Sequence, residues 1–180
     1  MARFSLISHP DYPPRAVESV SVQVDRLPEG GLWLEYAVRG TAALLLPEEQ
    51  EPGRADDLWT TTCFELFFKA AGGDAYSEFN LSPSFQWAAY GFDSYRTGMR
   101  ELPAQSPDIE INLNAAPYFF LAAEPWPPEL IAGDGTLALT AVIEEQGGVK
   151  SYWSLAHPPG APDFHHPACF VGRLPALGGA

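Results

Sequence analysis

Alternating apolar and polar residues dominate the pattern of this chain. Residues 19–25 place Val20, Val22 and Val24 on one face, and residues 31–39 alternate in the same way. A period of two is the period of a β-strand with one buried face. Comparable segments predict eight further strands, at residues 62–69, 75–82, 85–92, 108–114, 118–122, 136–144, 149–155 and 168–174.

Turn-forming residues separate these segments. The chain holds 18 prolines and 16 glycines, with glycine-rich turns at residues 28–31, 72–74, 133–135 and 147–148. No segment sustains a helical repeat over three turns, and the candidates for a short helical turn are residues 93–99 and 127–132. Many short strands with frequent turns predict an all-β fold. We expect an antiparallel β-sandwich, jelly-roll-like, of about ten strands with little helix.

Length and composition fit one globular domain. The chain has 180 residues, of which 46% are hydrophobic and 18% charged, and this length suffices to bury a full core. We expect a single domain over residues 1–180. Its ordered core would cover residues 15–174, with a loose arm at residues 1–15 and a flexible tail at residues 175–180.

The two cysteines, Cys63 and Cys169, are far apart in the sequence and lack the spacing of a zinc site. Each lies among apolar residues in a predicted strand, so we expect buried free thiols. A disulfide between them would require that the two strands be neighbours.

The net charge argues against two classes of partner. At −13, the protein repels nucleic acid and anionic membranes, and we expect neither to bind. No apolar run approaches the roughly 20 residues that span a membrane. The first residues contain no apolar segment of signal-peptide length, so we expect a cytoplasmic protein. The pattern does not indicate an oligomeric state.

Two predicted strands carry polar side chains on one face. Glu65 lies opposite the apolar face of residues 62–69, and the polar face of residues 75–82 carries Tyr76, Glu78, Asn80 and Ser82. If the two faces adjoin, these groups converge and suit the hydroxyl groups of a sugar. The competing interpretation is an ordinary solvent-exposed face of an antiparallel sheet.

Trp59 stands at the entrance to the strand that carries Glu65, between an acidic segment and a threonine triplet. Exposed aromatic rings at strand ends are typical of sugar sites, because the C–H faces of a sugar stack on indole. The alternative is a tryptophan that caps the edge of the core. Trp33 and Trp153 lie inside strands and are predicted core residues, and Trp126 is a candidate loop anchor.

Three of the four histidines cluster near the C-terminus. His165 and His166 follow Asp163, and His157 precedes them. Imidazole and carboxylate groups suit zinc or nickel. Adjacent histidines in an extended segment point apart, however, which favours hydrogen-bonded loop structure over a metal site.

Catalytic motifs are absent from the sequence. It contains no nucleophile elbow, P-loop or dinucleotide fingerprint. Glu65 and Glu78 would be the candidate pair of a glycosidase, but nothing in the sequence supports the required geometry. We predict a protein that is not an enzyme.

Several motifs resemble one known group. Trp59-Thr-Thr-Thr-Cys-Phe-Glu65-Leu-Phe-Phe resembles the Trp-(x)5-Glu-(Ile/Leu)-Phe-(Ile/Phe) segment of family-nine carbohydrate-binding modules, and residues 164–174 resemble their closing strand. With Phe79-Asn-Leu-Ser-Pro, Trp87-Ala-Ala-Tyr and Ala156-His-Pro-Pro-Gly, the chain is similar to the bacterial DOMON-like branch of that superfamily. The resemblance covers most of residues 15–174 and implies a β-sandwich of about ten strands.

The resemblance also implies a site. Trp59 matches the first of two aromatic residues that clamp a terminal sugar, and Phe164 takes the place of the second, which is usually tryptophan. Glu65 matches a sugar-contacting glutamate, and Asn80 matches an asparagine near the sugar. Glu78 stands where the sugar-binding members carry arginine. The specificity of those members therefore does not transfer, and His165 and His166 are candidate donors instead.

Other members of the group suggest alternatives. Some DOMON domains bind haem through a methionine and a histidine, for which Met99 and His157, His165 or His166 are the candidates here. Some relatives hold structural calcium. A similar domain is linked to UDP-N-acetylenolpyruvoylglucosamine reductase, which suggests a sugar nucleotide as ligand.

Together these features predict a non-catalytic module without a cofactor. It would bind a sugar or sugar nucleotide through Trp59, Glu65, Glu78, Asn80, Phe164 and His165. The alternatives are a haem or redox-ligand binder and a protein-interaction module.

Overall fold

The computed structural model describes residues 1–28, 31–115, 118–124, 131 and 134–173. These residues form strands and loops. The strands are β1 (Ala2–Ser8), β2 (Ser19–Arg26), β3 (Leu32–Arg39), β4 (Leu44–Leu45), β5 (Gly53–Arg54), β6 (Cys63–Ala70), β7 (Tyr76–Leu81), β8 (Gln86–Phe92), β9 (Arg100–Glu101), β10 (Asp108–Asn112), β11 (Tyr118–Glu124), β12 (Gly135–Glu145), β13 (Val149–Ser154) and β14 (Gly172–Arg173).

Helical structure in the described part of the chain is confined to 3-10 turns, at Thr41–Ala43, Leu58–Thr60 and Pro167–Cys169. The expected β-rich architecture with little helix is confirmed. Within the same residues, no helix has the length and apolar character required to cross a membrane.

All fourteen strands join in one curled sheet. Its order is β10-β11-β3-β2-β1-β13-β12-β6-β7-β8-β5, with β14 and β4 beside β12 and β9 beside β8. The pairs are antiparallel except β5 with β8, which is parallel. The expected sandwich of about ten antiparallel strands is therefore not the arrangement observed. The physical reason is β1, whose first part pairs with β2 and whose end pairs with β13, so that one strand joins both halves.

The alternating residues form the main core. Val20, Val22 and Val24 of β2 are buried as predicted, and β3 buries Leu32, Leu34, Tyr36 and Val38. The sheet curls so that these side chains meet those of β6. Tyr36 packs against Phe64, with ring centroids 4.9 Å apart, and its hydroxyl donates to the carbonyl oxygen of Glu65 at 2.5 Å. One face of β6 thus faces the main core.

The opposite face of β6 is also buried. It contributes to a second cluster that contains Leu58, Cys63, Phe67, Tyr76, Ala88, Tyr90, Phe92, Ala138, Val142, Phe164, Cys169 and Phe170. Segments 57–61 and 161–170 cover this face. Both cysteines are buried and free, as expected, although Cys169 lies in a 3-10 turn rather than in a strand.

Three predictions about local structure are wrong: the loose arm at residues 1–15, the helical turn at residues 93–99 and the strand at residues 168–174. Residues 1–15 are not a loose arm, because β1 pairs with two strands and buries Leu6. Residues 93–99 form a tight hairpin with a bridge between Ser94 and Thr97, since the left-handed backbone of Arg96 interrupts any helical turn.

The predicted strand at residues 168–174 is mostly absent. His166 caps a 3-10 turn that begins at Pro167, and only the two residues of β14 follow as strand. The predictions for Trp126, for the tail 175–180 and for most of residues 127–132 lie outside the described residues.

Candidate functional site

Strand pairing brings the predicted polar residues together. In the antiparallel register of β6 and β7, Glu65 lies opposite Asn80, and Phe67 lies opposite Glu78. Because neighbours across a pair share a face, Glu65, Glu78 and Asn80 project to the same side. Their exposed fractions are only 2%, 6% and 1%. The interpretation of this face as ordinary solvent-exposed sheet is therefore wrong, because segments 57–61 and 161–170 cover it.

The two carboxyl groups have few internal partners. Thr140 Oγ1 donates to Glu65 Oε2 at 2.7 Å, and Asn80 Nδ2 donates to Glu78 Oε1 at 2.9 Å. Among the described residues, Glu65 Oε1 receives no hydrogen bond and Asn80 Oδ1 is buried without one. Burial raises the pKa of both carboxyls, and the nearby Glu78 raises that of Glu65 further. Burial therefore favours the protonated, neutral form.

His165 closes the site above Glu78. The backbone N–H of Arg96 donates to the Tyr76 hydroxyl at 3.2 Å, so the hydroxyl hydrogen is available for His165 Nδ1 at 2.8 Å. This network assigns the ring hydrogen of a neutral His165 to Nε2.

The pair of His165 and Glu78 is not a fixed ion pair. His165 Nε2 lies 3.7 Å from Glu78 Oε2, beyond hydrogen-bond length. Burial, followed by the positive charge of Arg96, lowers the pKa of His165 to about 4, while burial raises the pKa of Glu78. Although the distance is within ion-pair range, His165 is neutral at neutral pH and therefore forms no ion pair with Glu78.

Trp59 is held on a rigid turn. Leu58 is buried beside it, and Thr60 donates to the carbonyl oxygen of Asp57 from its N–H at 3.0 Å and from its hydroxyl at 2.6 Å. Asp57 has a left-handed backbone, φ 56°, which bends the chain into the turn. The indole remains 52% exposed. The expectation of an exposed tryptophan at the entrance to β6 is confirmed.

Hydrogen bonds join the covering segment 161–170 to the hairpin at residues 93–99. Asp163 Oδ2 accepts from the Tyr95 hydroxyl at 2.5 Å, and Asp163 Oδ1 accepts from Arg96 at 2.8 Å. Phe164, next in sequence, is buried beside Tyr152 with ring centroids 6.1 Å apart. These contacts hold Phe164 and His165 over the polar face of the sheet.

A cavity of about 1010 Å³ lies between the polar face of β6 and β7, which forms its floor, and the covering segments 57–61 and 161–170. Five of the six predicted site residues line it: Trp59, Glu65, Glu78, Phe164 and His165. The sixth, Asn80, does not line the cavity and donates a hydrogen bond to Glu78.

The remaining histidines have other partners. His166 Nδ1 accepts from the backbone N–H of Ala168 at 3.1 Å, and His157 Nε2 contacts the carbonyl oxygen of Ile7 at 2.9 Å. Neither lines the cavity. The described residues contain no group of three or more histidine, cysteine or carboxylate side chains arranged to hold a metal.

Two of the haem candidates, Met99 and His165, line the same cavity. His165 contacts the Tyr76 hydroxyl through Nδ1, and its Nε2 lies 3.7 Å from Glu78 without a hydrogen bond. An axial ligand needs an imidazole nitrogen that is open to the iron. Haem binding stays a prediction.

Sequence reasoning missed Arg96 and Tyr12, which line the cavity. Arg96 bonds to Asp163, 67 positions away, and the two meet only through the fold. Tyr12 lies in the connection after β1, beside Tyr152, with ring centroids 5.2 Å apart. Neither Arg96 nor Tyr12 has a local pattern that indicates a site.

Comparison with known proteins supports the fold. No protein-family model matches the chain, and no curated protein matches it. Among solved structures it is similar to a putative carbohydrate-binding protein from Bacteroides uniformis, with a TM-score of 0.63 and 18% sequence identity. The similarity covers 96% of this chain and 85% of the other. At this identity the two chains share a fold, and the similarity carries no residue roles.

Proposed function

We propose that this chain is a non-catalytic module that binds a small sugar or sugar derivative in the cavity above β6 and β7. The observation that carries the proposal is that the exposed indole of Trp59 lines the same cavity as the buried carboxyl groups of Glu65 and Glu78. An aromatic platform beside fixed polar groups is the usual composition of a site that orients a polar ring.

The floor can form the hydrogen bonds that sugar hydroxyls require. A neutral carboxyl group has one O–H donor and retains acceptor capacity, and the neutral imidazole of His165 supplies a donor at Nε2. Both kinds of group are therefore available to hydroxyls, which donate and accept. Phe164 and Tyr152 add apolar surface on the wall.

Two further lines of support come from similar proteins. One solved structure of similar fold is of a putative carbohydrate-binding protein. The motifs around Trp59 and Phe164 resemble those of family-nine carbohydrate-binding modules and DOMON-like domains. Both observations favour a sugar over other polar ligands.

Binding is favoured over hydrolysis by the placement of the two carboxyls. A glycosidase needs one carboxylic acid and one carboxylate on either side of the scissile bond. Here Glu65 and Glu78 lie on paired strands of the same floor, so both carboxyls face a bound ligand from one side.

Isothermal titration calorimetry with a panel of mono- and disaccharides tests the proposal. The variant Trp59→Ala removes the platform, and we expect it to bind at least about fivefold more weakly, because aromatic contact with a ligand ring contributes roughly 1 kcal/mol or more. The matched control is Leu113→Ala, which truncates a similarly exposed apolar side chain that does not line the cavity.

The control variant should bind like the wild type. If Trp59→Ala binds the selected sugar as tightly as the wild type does, the proposed site is wrong. If no sugar of the panel binds the wild type, the proposed ligand class is wrong.

A further inference from the structure

We infer that the ligand carries a positive charge, as an amino sugar with a free ammonium group does. The inference deepens the proposed function and rests on it. It specifies the ligand group that the floor of the cavity recognises, and it disfavours sugar phosphates, uronates and sugar nucleotides.

The groups that line the cavity include more acids than bases. Among the described residues, five carboxyl side chains line it against two guanidinium groups and no lysine: Asp56, Asp57, Glu65, Glu78 and Glu101, with Arg96 and Arg100. Glu101 is partly offset by Arg54, 4.0 Å away. Glu65 and Glu78 favour the neutral form without a ligand, and a bound cation would favour their ionised form, because a nearby opposite charge lowers the pKa of a carboxyl group. A surplus of acidic groups therefore attracts a cationic ligand.

The two arginines are already neutralised by carboxylates that do not line the cavity. Arg96 lies 2.8 Å from Asp163, and Arg100 lies 2.7 Å from Asp93. Because both guanidinium groups are paired in this way, little positive charge remains for an anionic ligand. A phosphate would have to compete with these carboxylates and approach the buried glutamates.

The floor offers acceptors that the protein leaves without donors. Glu65 is 98% buried, and its Oε1 receives no hydrogen bond from the described residues, although the side chain lines the cavity. The basic side chain next to Glu78 is His165, 3.7 Å away, which is neutral at neutral pH. An ammonium group brings three donors and a positive charge, which complements both carboxyl groups at once.

The walls are suited to a cation as well. Aromatic rings line the cavity on several sides, among them Trp59, Tyr12 and Tyr152. The faces of aromatic rings attract cations within about 6 Å, and the attraction grows when the cation is desolvated. The rings and the acidic floor thus favour the same charge on the ligand.

Calorimetric titrations with five small probes test the inference: glucosamine, glucose, N-acetylglucosamine, glucose 6-phosphate and ethanolamine. We expect glucosamine to bind at least about tenfold more tightly than glucose or N-acetylglucosamine, a difference of roughly 1.4 kcal/mol. Glucose 6-phosphate should be the weakest sugar. Ethanolamine, which carries the charge without the ring, should bind more weakly than glucosamine.

Variants of the carboxyl groups test which side chain causes the preference for glucosamine over glucose. Glu65→Gln keeps the size of the side chain and should reduce the preference for glucosamine over glucose to less than threefold, and Glu78→Gln provides a second test if Glu65→Gln does not fold. The control is Glu110→Gln on the exposed face of β10, which should keep the wild-type preference.

The possible failures are distinguishable. Equal affinity for glucose and glucosamine, or tightest binding of glucose 6-phosphate, would overturn the inference and leave the sugar-binding proposal intact. Ethanolamine binding as tightly as glucosamine would support the charge preference and contradict the sugar. If none of the sugars binds, the proposed function and the inference that rests on it are both wrong.

Discussion

At the scale of single residues, the site depends on two carboxyl groups that lie side by side without a strong cation between them. The sequence predicts this proximity, because the period of two places Glu65 and Glu78 on matching faces of neighbouring strands. Burial of the face cannot be predicted in the same way. It depends on Asp163 and Arg96, which meet only in the folded chain.

The buried carboxyls make stability depend on pH. Burial, with the added effect of Glu78, raises the pKa of Glu65 from 4.5 to about 8, and burial raises that of Glu78 to about 7. Between 4.5 and these values the folded state binds more protons than the unfolded state. The free energy of unfolding therefore falls as pH rises. His165 acts in the opposite direction, because its pKa is lowered from 6.5 to about 4. It makes the free energy of unfolding rise between about pH 4 and pH 6.5 and adds no further pH dependence above pH 6.5.

Urea denaturation from about pH 6.5 to pH 8 isolates the contribution of the carboxyls. We expect the free energy of unfolding to fall in the wild type by an amount on the order of 1 kcal/mol. The fall should be smaller in Glu65→Gln and in Glu78→Gln, whereas Glu110→Gln on β10 should behave like the wild type. If the free energy of unfolding depends on pH in the same way in all four proteins, burial does not raise the pKa values of Glu65 and Glu78.

At the scale of elements, a buried glutamate fixes the connection between β1 and β2. Glu145, at the end of β12, accepts hydrogen bonds from the backbone N–H groups of Arg15 at 2.7 Å, Ala16 at 2.6 Å and Val17 at 3.1 Å. Tyr12, in the same connection, lines the cavity. The predicted strand at residues 136–144 ends one residue before Glu145, and the sequence gives no indication of these partners.

Replacing Glu145 with glutamine removes a carboxylate oxygen and places an amide donor against backbone donors. We expect Glu145→Gln to lower the free energy of unfolding by about 2–4 kcal/mol, because hydrogen bonds to a charged group contribute roughly 1.5–3 kcal/mol each. Thermal and urea denaturation measure the change.

The adjacent Glu144→Gln is the matched control. It loses a partly exposed ion pair with Lys150, 3.2 Å away, and surface pairs of this kind contribute about 0–1 kcal/mol. Equal destabilisation by the two variants would show that Glu145 does not anchor the connection.

At the scale of the whole molecule, β1 joins the two halves of the sheet. The sequence predicts nearly all the longer strands and the β-rich class, because alternation reports one buried face. It does not predict that residues 2–8 pair at both ends. Ala2, Phe4 and Leu6 alternate with polar residues, but alternation does not identify the strands with which a segment pairs. Whether the strands form one curled sheet or two separate sheets depends on such backbone pairing and not on the side-chain pattern.

Neighbouring substitutions in β1 test this role. Leu6 is 5% exposed and Ile7, on the opposite face, is 54% exposed. We expect Leu6→Ala to lower the free energy of unfolding by about 2–4 kcal/mol through the cavity it leaves, and Ile7→Ala to change it by less than about 0.5 kcal/mol. A loose arm would tolerate both substitutions equally, which urea denaturation would reveal.

The central claim is that a sugar occupies the cavity above β6 and β7. A crystal structure of the protein with the tightest-binding sugar of the panel tests it most directly. The account predicts sugar density in contact with the Trp59 indole and with the carboxyl groups of Glu65 and Glu78. Sugar density at another surface, with this cavity unchanged, would contradict it.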